Sequence, residues 1–204
     1  MFKKRSVQQK YDLFSKIYDT LEWPLEKFLF SKWRKKVITK FKGKVLEVGV
    51  GTGKNLQYYN DDVNVVGIDI SQKMLNKAID RSKNLKNVSL LKMDAQDLKF
   101  KDNTFDIVFC TFVLCSVPDP VKTLKEMKRV CKPGGKLVMI EHVKSKNWLV
   151  WLFQKIHNPF TFYLFGFNID RDTIGNIKKA GLTITKDKKL ALFDVFRQIE
   201  ATCK

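Results

Sequence analysis

The chain has 204 residues, 44% of them apolar, and a formal net charge of +18. That length builds one substantial domain with a full core, and the apolar fraction excludes disorder. Four cysteines (Cys110, Cys115, Cys131 and Cys203) with no C-x-x-C pair and only two histidines exclude an ordinary zinc site; they read as reduced thiols of a cytoplasmic protein. Lys3, Lys4 and Arg5 have no apolar run behind them, so the N-terminus does not read as a signal peptide. The charge is uneven: residues 1–44 carry 13 Lys/Arg against Asp12, Asp19, Glu22 and Glu26, a net of +9. Such a patch suits anionic lipid headgroups or nucleic acid, or is simply a solvated lysine-rich surface.

Residues 7–38 carry a helical stripe of Tyr11, Phe14 and Tyr18, then Leu21, Leu25, Phe28, Leu29 and Trp33, with Pro24 expected to open a second helix. From residue 43 the period changes. A buried parallel strand is expected over 44–49, with three alternate glycines, Gly49, Gly51 and Gly53, at its end and a helix over 53–59. A dinucleotide loop needs G-x-G-x-x-G, but the sixth position from Gly49 is Lys54, so that pattern fails.

Val63 to Ile68 form the second strand, closed by Asp69, 22 residues after Glu47, where a nucleoside-binding α/β fold places a carboxylate for the ribose hydroxyls. Ser71 caps a helix bearing Met74, Leu75 and Ile79. Val88 to Met93 read as a strand ending in Asp94-Ala95, Phe105 to Cys110 as another, and Val121 to Val130 as a helix. Pro133-Gly134-Gly135 turns into strand Lys136 to Ile140, which ends at Glu141-His142. A helix over 173–180, capped by Asp172-Thr173 and closed by Gly181, precedes strands near 182–190 and 193–202. The succession predicts an α/β, Rossmann-like, doubly wound, seven-stranded and mostly parallel sheet in a single domain over 1–204, with ligands at the carboxyl ends of the strands. Residues 1–42 form a helical cap on it, and 144–170 an insertion.

In that insertion Trp148 to Phe153 and Phe160 to Phe167 bracket a polar break, Gln154 to Pro159. Polar groups at mid-span argue against a transmembrane helix. A lid over an apolar acceptor pocket, an interfacial segment anchored by tryptophans, and ordinary core packing all fit the pattern; Lys144 and Lys146 beside it favour a membrane surface.

The run E-x-G-x-G-x-G from Glu47, with Asp69, Asp94-Ala95, Phe105-Asp106 and Pro133-Gly134-Gly135 in order, resembles the class I S-adenosylmethionine (SAM) dependent methyltransferases across residues 44–143. Tyr11-Asp12…Tyr18-Asp19, Gly67-Ile68-Asp69-Ile70-Ser71…Met74-Leu75 and Arg129-Val130-Cys131-Lys132-Pro133-Gly134-Gly135 are similar to the ubiquinone/menaquinone-biosynthesis and bacterial phospholipid N-methyltransferases. Cys110 to Val117 and Glu141-His142-Val143, followed by the aromatic tract, look like the methyltransferase-like thiol methyltransferases.

The resemblance implies SAM as cofactor, S-adenosylhomocysteine as product, and no metal. It implies that Glu47, Gly49, Gly51 and Gly53 form the cofactor loop, that Asp69 holds the ribose, and that Ile70 and Met74 lie on the adenine. Asp94 and the Ala95 amide would bind the adenine edge, Cys110 and Thr111 the methionine end, and Tyr18 would close over the cofactor. His142 is the candidate base, with Glu141 beside it toward the acceptor, or His142 is a polar pocket wall; Asp170 and Arg171 are candidates for orienting a headgroup. Cys115 stands where many small-molecule relatives carry histidine, so no acid/base role is expected there.

The expected acceptor is small and lipophilic or membrane-borne: a phospholipid amine, an alkyl thiol or a quinone precursor, reached from a peripheral position on an anionic membrane. A nucleic-acid methyltransferase is the alternative suggested by the charge. Against it, Cys110-Thr111-Phe112-Val113 is not the Asn/Asp-Pro-Pro-aromatic motif that grips a flipped base. A non-catalytic SAM-binding protein is the third reading.

Overall fold

The computed structural model describes residues 6–203; Lys3, Lys4 and Arg5 lie outside them, as do the side chains of Phe14, Leu21 and Glu22. Seven strands form one sheet in the order β3-β2-β1-β4-β5-β7-β6. These are β1 (Lys44–Val48), β2 (Asn64–Asp69), β3 (Val88–Lys92), β4 (Phe105–Thr111), β5 (Cys131–His142), β6 (Thr183–Ala191) and β7 (Phe196–Thr202). The first five are mutually parallel, while β7 runs antiparallel to both β5 and β6. Central strands read as continuous apolar runs because both faces are covered: Val45, Leu46 and Val48 are wholly buried, as are Val108, Phe109 and Cys110. Two hydrophobic clusters lie on the faces, one including Leu46, Val48, Leu124 and Met139, the other Val45, Phe109, Val138 and Ile38. Strand order reverses between β1 and β4, and there the carboxyl ends open a crevice.

The cap consists of α1 (Val7–Phe14), α2 (Tyr18–Leu25) and α3 (Ser31–Ile38), with a wide π-helical turn over Glu26–Phe30 joining the last two. Two expectations need correction here. Pro24 does not open a helix: the chain breaks at Ser15, whose hydroxyl turns back to the Asp12 carbonyl, and Pro24 lies inside α2 just before the π turn. The helix expected over 53–59 shrinks to one 3-10 turn, Leu56–Tyr58, because Asn55 turns its side chain inward to Glu47 and Thr111.

The remaining helices are α4 (Gln72–Ser82), α5 (Pro120–Val130), α6 (Trp148–Phe165) and α7 (Thr173–Lys179). Ser71 and Asp172 accept a backbone N–H at the helices they start, as expected, and Asp119 does the same for α5, which begins one residue before the expected Val121. The aromatic insertion is one 18-residue helix running through Pro159. Among the described residues no helix is long and apolar enough to cross a membrane. Two residues of the polar break, Gln154 and Asn158, face the protein, while Lys155, Ile156, His157 and Pro159 are exposed. Gln154 is buried, donating to the Val143 and Ile169 carbonyls and accepting from the Ser145 amide; Asn158, one turn on, accepts from the Ile169 amide.

Candidate active site

Two hollows meet at the carboxyl end of the sheet. The smaller, about 240 Å³, is a crevice lined by Gly49, Gly51, Asp69, Ile70, Met74, Asp94 and Ala95, with Thr111 and the 112–118 loop opposite. The larger, about 750 Å³, is walled by Phe30, Phe112, Phe165, Phe167, Phe196 and aliphatic side chains. Tyr11, Tyr18 and Phe112 belong to both linings, so they mark the junction.

The crevice is built from strand ends. Gly49 and Gly51 turn the chain after β1 with φ of +69° and +57°, a region that L side chains enter only with strain. Their surroundings differ. A Cβ on Gly49 would collide with the Val113 side chain, whereas one on Gly51 would meet nothing and project into open space. Asp69, closing β2, is held by two amides: Oδ2 accepts from Gly51 at 2.9 Å and Oδ1 from Ser71 at 2.8 Å. Burial raises its pKa, and those N–H groups oppose the rise. Asp94 at the end of β3 accepts from the Gln96 amide at 2.8 Å.

The Tyr-Asp pairs position the cap. Asp12 accepts the Ser71 hydroxyl at 2.5 Å, and Asp19 accepts Thr52 Oγ1 and Arg81 Nη2, each at 2.8 Å, with Lys54 Nζ at 3.5 Å. Burial alone would raise the Asp19 pKa, but the Thr52 hydroxyl and Arg81 outweigh it and hold the carboxyl below its ordinary value. These bonds clamp α1 and α2 onto the glycine loop and α4, which carries Tyr11 and Tyr18 over both hollows.

Three of the expected cofactor residues are not in the crevice lining: Glu47, Gly53 and Cys110. Glu47 is wholly buried, accepting from Asn55 Nδ2 at 2.6 Å and the Tyr59 hydroxyl at 2.8 Å, and burial pushes its pKa up to about 7. Arg34, from the cap, completes this network by donating to Asn55, Thr111 and Glu26. Nothing in the sequence singled out Arg34 or Asn55, because their pairing spans 21 residues.

Glu141 also requires correction. Its carboxylate points away from the acceptor side: Oε1 accepts the Val113 and Leu114 amides at 2.8 and 3.1 Å and the Cys110 thiol, fixing the loop after β4. Burial raises its pKa to about 7. His142, the next residue on β5, faces the other way and lines the large cavity among Phe112, Phe167 and Phe196. Its Nδ1 has no hydrogen-bond partner among the described residues. Burial, aided by the Arg171 charge, lowers its pKa to about 4, so the imidazole is neutral near pH 7. Arg171 does not reach the cavity either; its Nη2 donates to the Cys115 and Val117 carbonyls. Cys115 does line it.

The arrangement is chemically lopsided. Among the described residues no charged side chain lines the large cavity, whose polar groups are Tyr11, Tyr18, Cys115, His142 and Gln154. An ion placed there would lose hydration without a partner, at a cost of several kcal/mol. No group of three or more metal-ligating side chains occurs among the described residues.

Residues 46–139 match the family model described as a methyltransferase domain. A phosphatidylethanolamine N-methyltransferase of Cereibacter sphaeroides is 46% identical over 103 residues, 49% of this chain and 51% of that protein. A demethylmenaquinone methyltransferase of Staphylococcus saprophyticus is 33% identical over 174 residues, 80% of this chain and 75% of the relative. The match thus spans about half the length of the first and three quarters of the second. Among solved structures, a SAM-dependent methyltransferase from Thermotoga maritima shares the fold with a TM-score of 0.74 at 22% identity, covering 96% of this chain and 99% of that one.

Proposed function

The chain belongs to the class I SAM-dependent methyltransferases, and from that premise we propose that it methylates a small, neutral, lipophilic acceptor at a membrane surface. The observation that carries this reading is the shared wall: Tyr11, Tyr18 and Phe112 line both the glycine crevice and an uncharged aromatic cavity. An alkyl or aryl thiol or a quinone precursor fits such walls. A phospholipid amine, with its ammonium and phosphate, fits them less well.

The crevice suits an adenosyl sulfonium. Gly51 leaves open the space that a Cβ would fill, and Asp69, already fixed by two amides, has lone pairs left for ribose hydroxyls. Ile70 and Met74 would flank the adenine, Asp94 and the Ala95 amide would read its edge, and Thr111 would border the methionine end. SAM, when bound, would supply a methyl carbon on sulfonium sulfur that a nucleophile attacks directly, S-adenosylhomocysteine leaving with the electron pair of the broken S–CH₃ bond. The protein's part is to align that nucleophile and exclude water. Tyr18 and Tyr11 close the junction, held there by Asp19 and Asp12. His142, a neutral imidazole in the cavity wall, would accept the acceptor's S–H or O–H, orient its lone pair and take the proton as the methyl arrives.

A flipped nucleobase finds few polar partners in this cavity, which weakens the nucleic-acid reading. Calorimetry with Asp69→Ala tests the cofactor half: SAM binding should be lost, and unchanged affinity would dismiss the ribose assignment. His142→Phe should lower kcat on a thiol by about a hundredfold, with His142→Gln recovering part of it; equal rates would leave His142 a wall residue.

A further inference from the structure

Helix α6 is inside out. Its buried side carries Gln154 and Asn158, while Trp148, Leu149, Phe153, Ile156, Phe160 and Tyr163 on the outer side are 58 to 73% exposed. A water-facing helix carries the reverse pattern. The apolar surface extends to two other elements. Leu25 of α2 is 47% exposed, and Leu192 and Phe193, at the tip of the β6–β7 hairpin, are 62% and 76% exposed. Both tip residues adopt positive φ, +48° and +60°, which bulky side chains enter only with strain, so the backbone is held off its preferred conformation while presenting two apolar groups to solvent. Leu25, Leu149, Phe153, Leu192 and Phe193 also line the large cavity, so the exposed surface is the rim of its mouth.

The charges around this rim have one dominant sign. Residues 144–167 contain Lys144, Lys146 and Lys155 and no acid. Lys144 and Lys155 hold their ammonium groups 5.2 and 5.0 Å from the Trp151 ring centre, and Lys27 lies 4.8 Å from that of Trp23, next to Phe28 on the π turn. Aromatic rings with lysine ammoniums beside them are the composition of an interfacial anchor. On the neighbouring hairpin strand, the charge of Lys36 and the nearby Lys186 and Lys40 hold Lys188 below its ordinary pKa, a cluster that anions relieve.

We propose that this face docks on an anionic phospholipid bilayer, which closes the open side of the cavity and passes the acceptor in laterally between α2, α6 and the Leu192-Phe193 tip. The inference rests on reading the cavity as the acceptor site.

Flotation of the full chain with phosphatidylglycerol/phosphatidylcholine vesicles tests it. The protein should float with them, and less with phosphatidylcholine alone or at raised salt. Leu192→Asn/Phe193→Gly suits the positive φ angles, so it should melt no lower than the wild type yet lose at least about tenfold in vesicle partition. Ile156→Ser/Phe160→Ser, outside the cavity, should lose partition similarly while keeping wild-type turnover of a water-soluble short-chain thiol. Undiminished flotation of both variants overturns the proposal, as does a wild type that never floats. So does a lipid-free dimer that these substitutions dissociate, or RNA binding without vesicle binding. Turnover of the soluble thiol without flotation sinks the docking face alone; flotation with no turnover of any lipophilic acceptor supports the face and sinks the proposed reaction.

Discussion

Gly51→Ala separates a cofactor cradle from an ordinary turn. At φ +57° an alanine costs about 1–2 kcal/mol of backbone strain, and loss of glycine's freedom in the unfolded chain returns roughly half to one of that. With open space around the new methyl, the net loss is about 1 kcal/mol, or roughly 2–4 °C in melting temperature for a chain of this size. Gly49→Ala has the same backbone strain, but its methyl runs into Val113 on a loop pinned by Glu141, so overpacking adds about 1–3 kcal/mol. If the crevice holds SAM against the Gly51 backbone, the methyl added by Gly51→Ala takes ligand space and weakens binding at least about tenfold, or 1.4 kcal/mol. Titration calorimetry of SAM beside thermal melts reads both quantities. A Gly51→Ala protein that binds SAM like the wild type refutes the cradle, and one that melts as low as Gly49→Ala refutes the packing argument.

Asp19→Ala removes the acceptor of the Thr52 and Arg81 bonds and should cost about 1–2 kcal/mol in urea unfolding. Since Tyr18 then loses its anchor, SAM affinity should fall about tenfold; equal affinity would show the cap to be irrelevant to the cofactor. Glu141→Gln tests a pH effect. The folded carboxyl, raised from 4.5 to about 7, binds more protons than the unfolded one between those values, so its contribution to stability falls as pH rises through that window. Glutamine keeps an oxygen for the Val113 and Leu114 amides and removes the titration, so the variant should gain on the wild type by up to about 3 kcal/mol between pH 4.5 and 7.5. Parallel stability curves across that range would contradict the assignment.

The sheet was legible because parallel strands buried on both faces read as apolar runs, and the chain direction then fixes which ends carry Asp69 and Asp94. Lys54 in place of a third phosphate-loop glycine was equally legible. Glu141 and His142 were not separable, since neighbours on a strand point to opposite faces and the sequence alone does not say which faces the acceptor. Gln154 and Asn158 looked like an interruption of an apolar tract, whereas their spacing of four puts both on one helix face against the 168–169 segment. The Arg34–Asn55–Glu47 network joins cap, loop and strand through tertiary contacts that local periodicity does not encode. Pro24 misled because a proline favours the first helical turn, and here the break lies nine residues earlier at Ser15.

Transfer of tritiated methyl from SAM into separate pools of lipophilic thiols, quinone precursors, phospholipids and RNA bears most directly on the central claim. Label should enter a neutral lipophilic acceptor and vanish with Asp69→Ala. Label confined to RNA, or entering the lipophilic pool equally with Asp69→Ala, would contradict it.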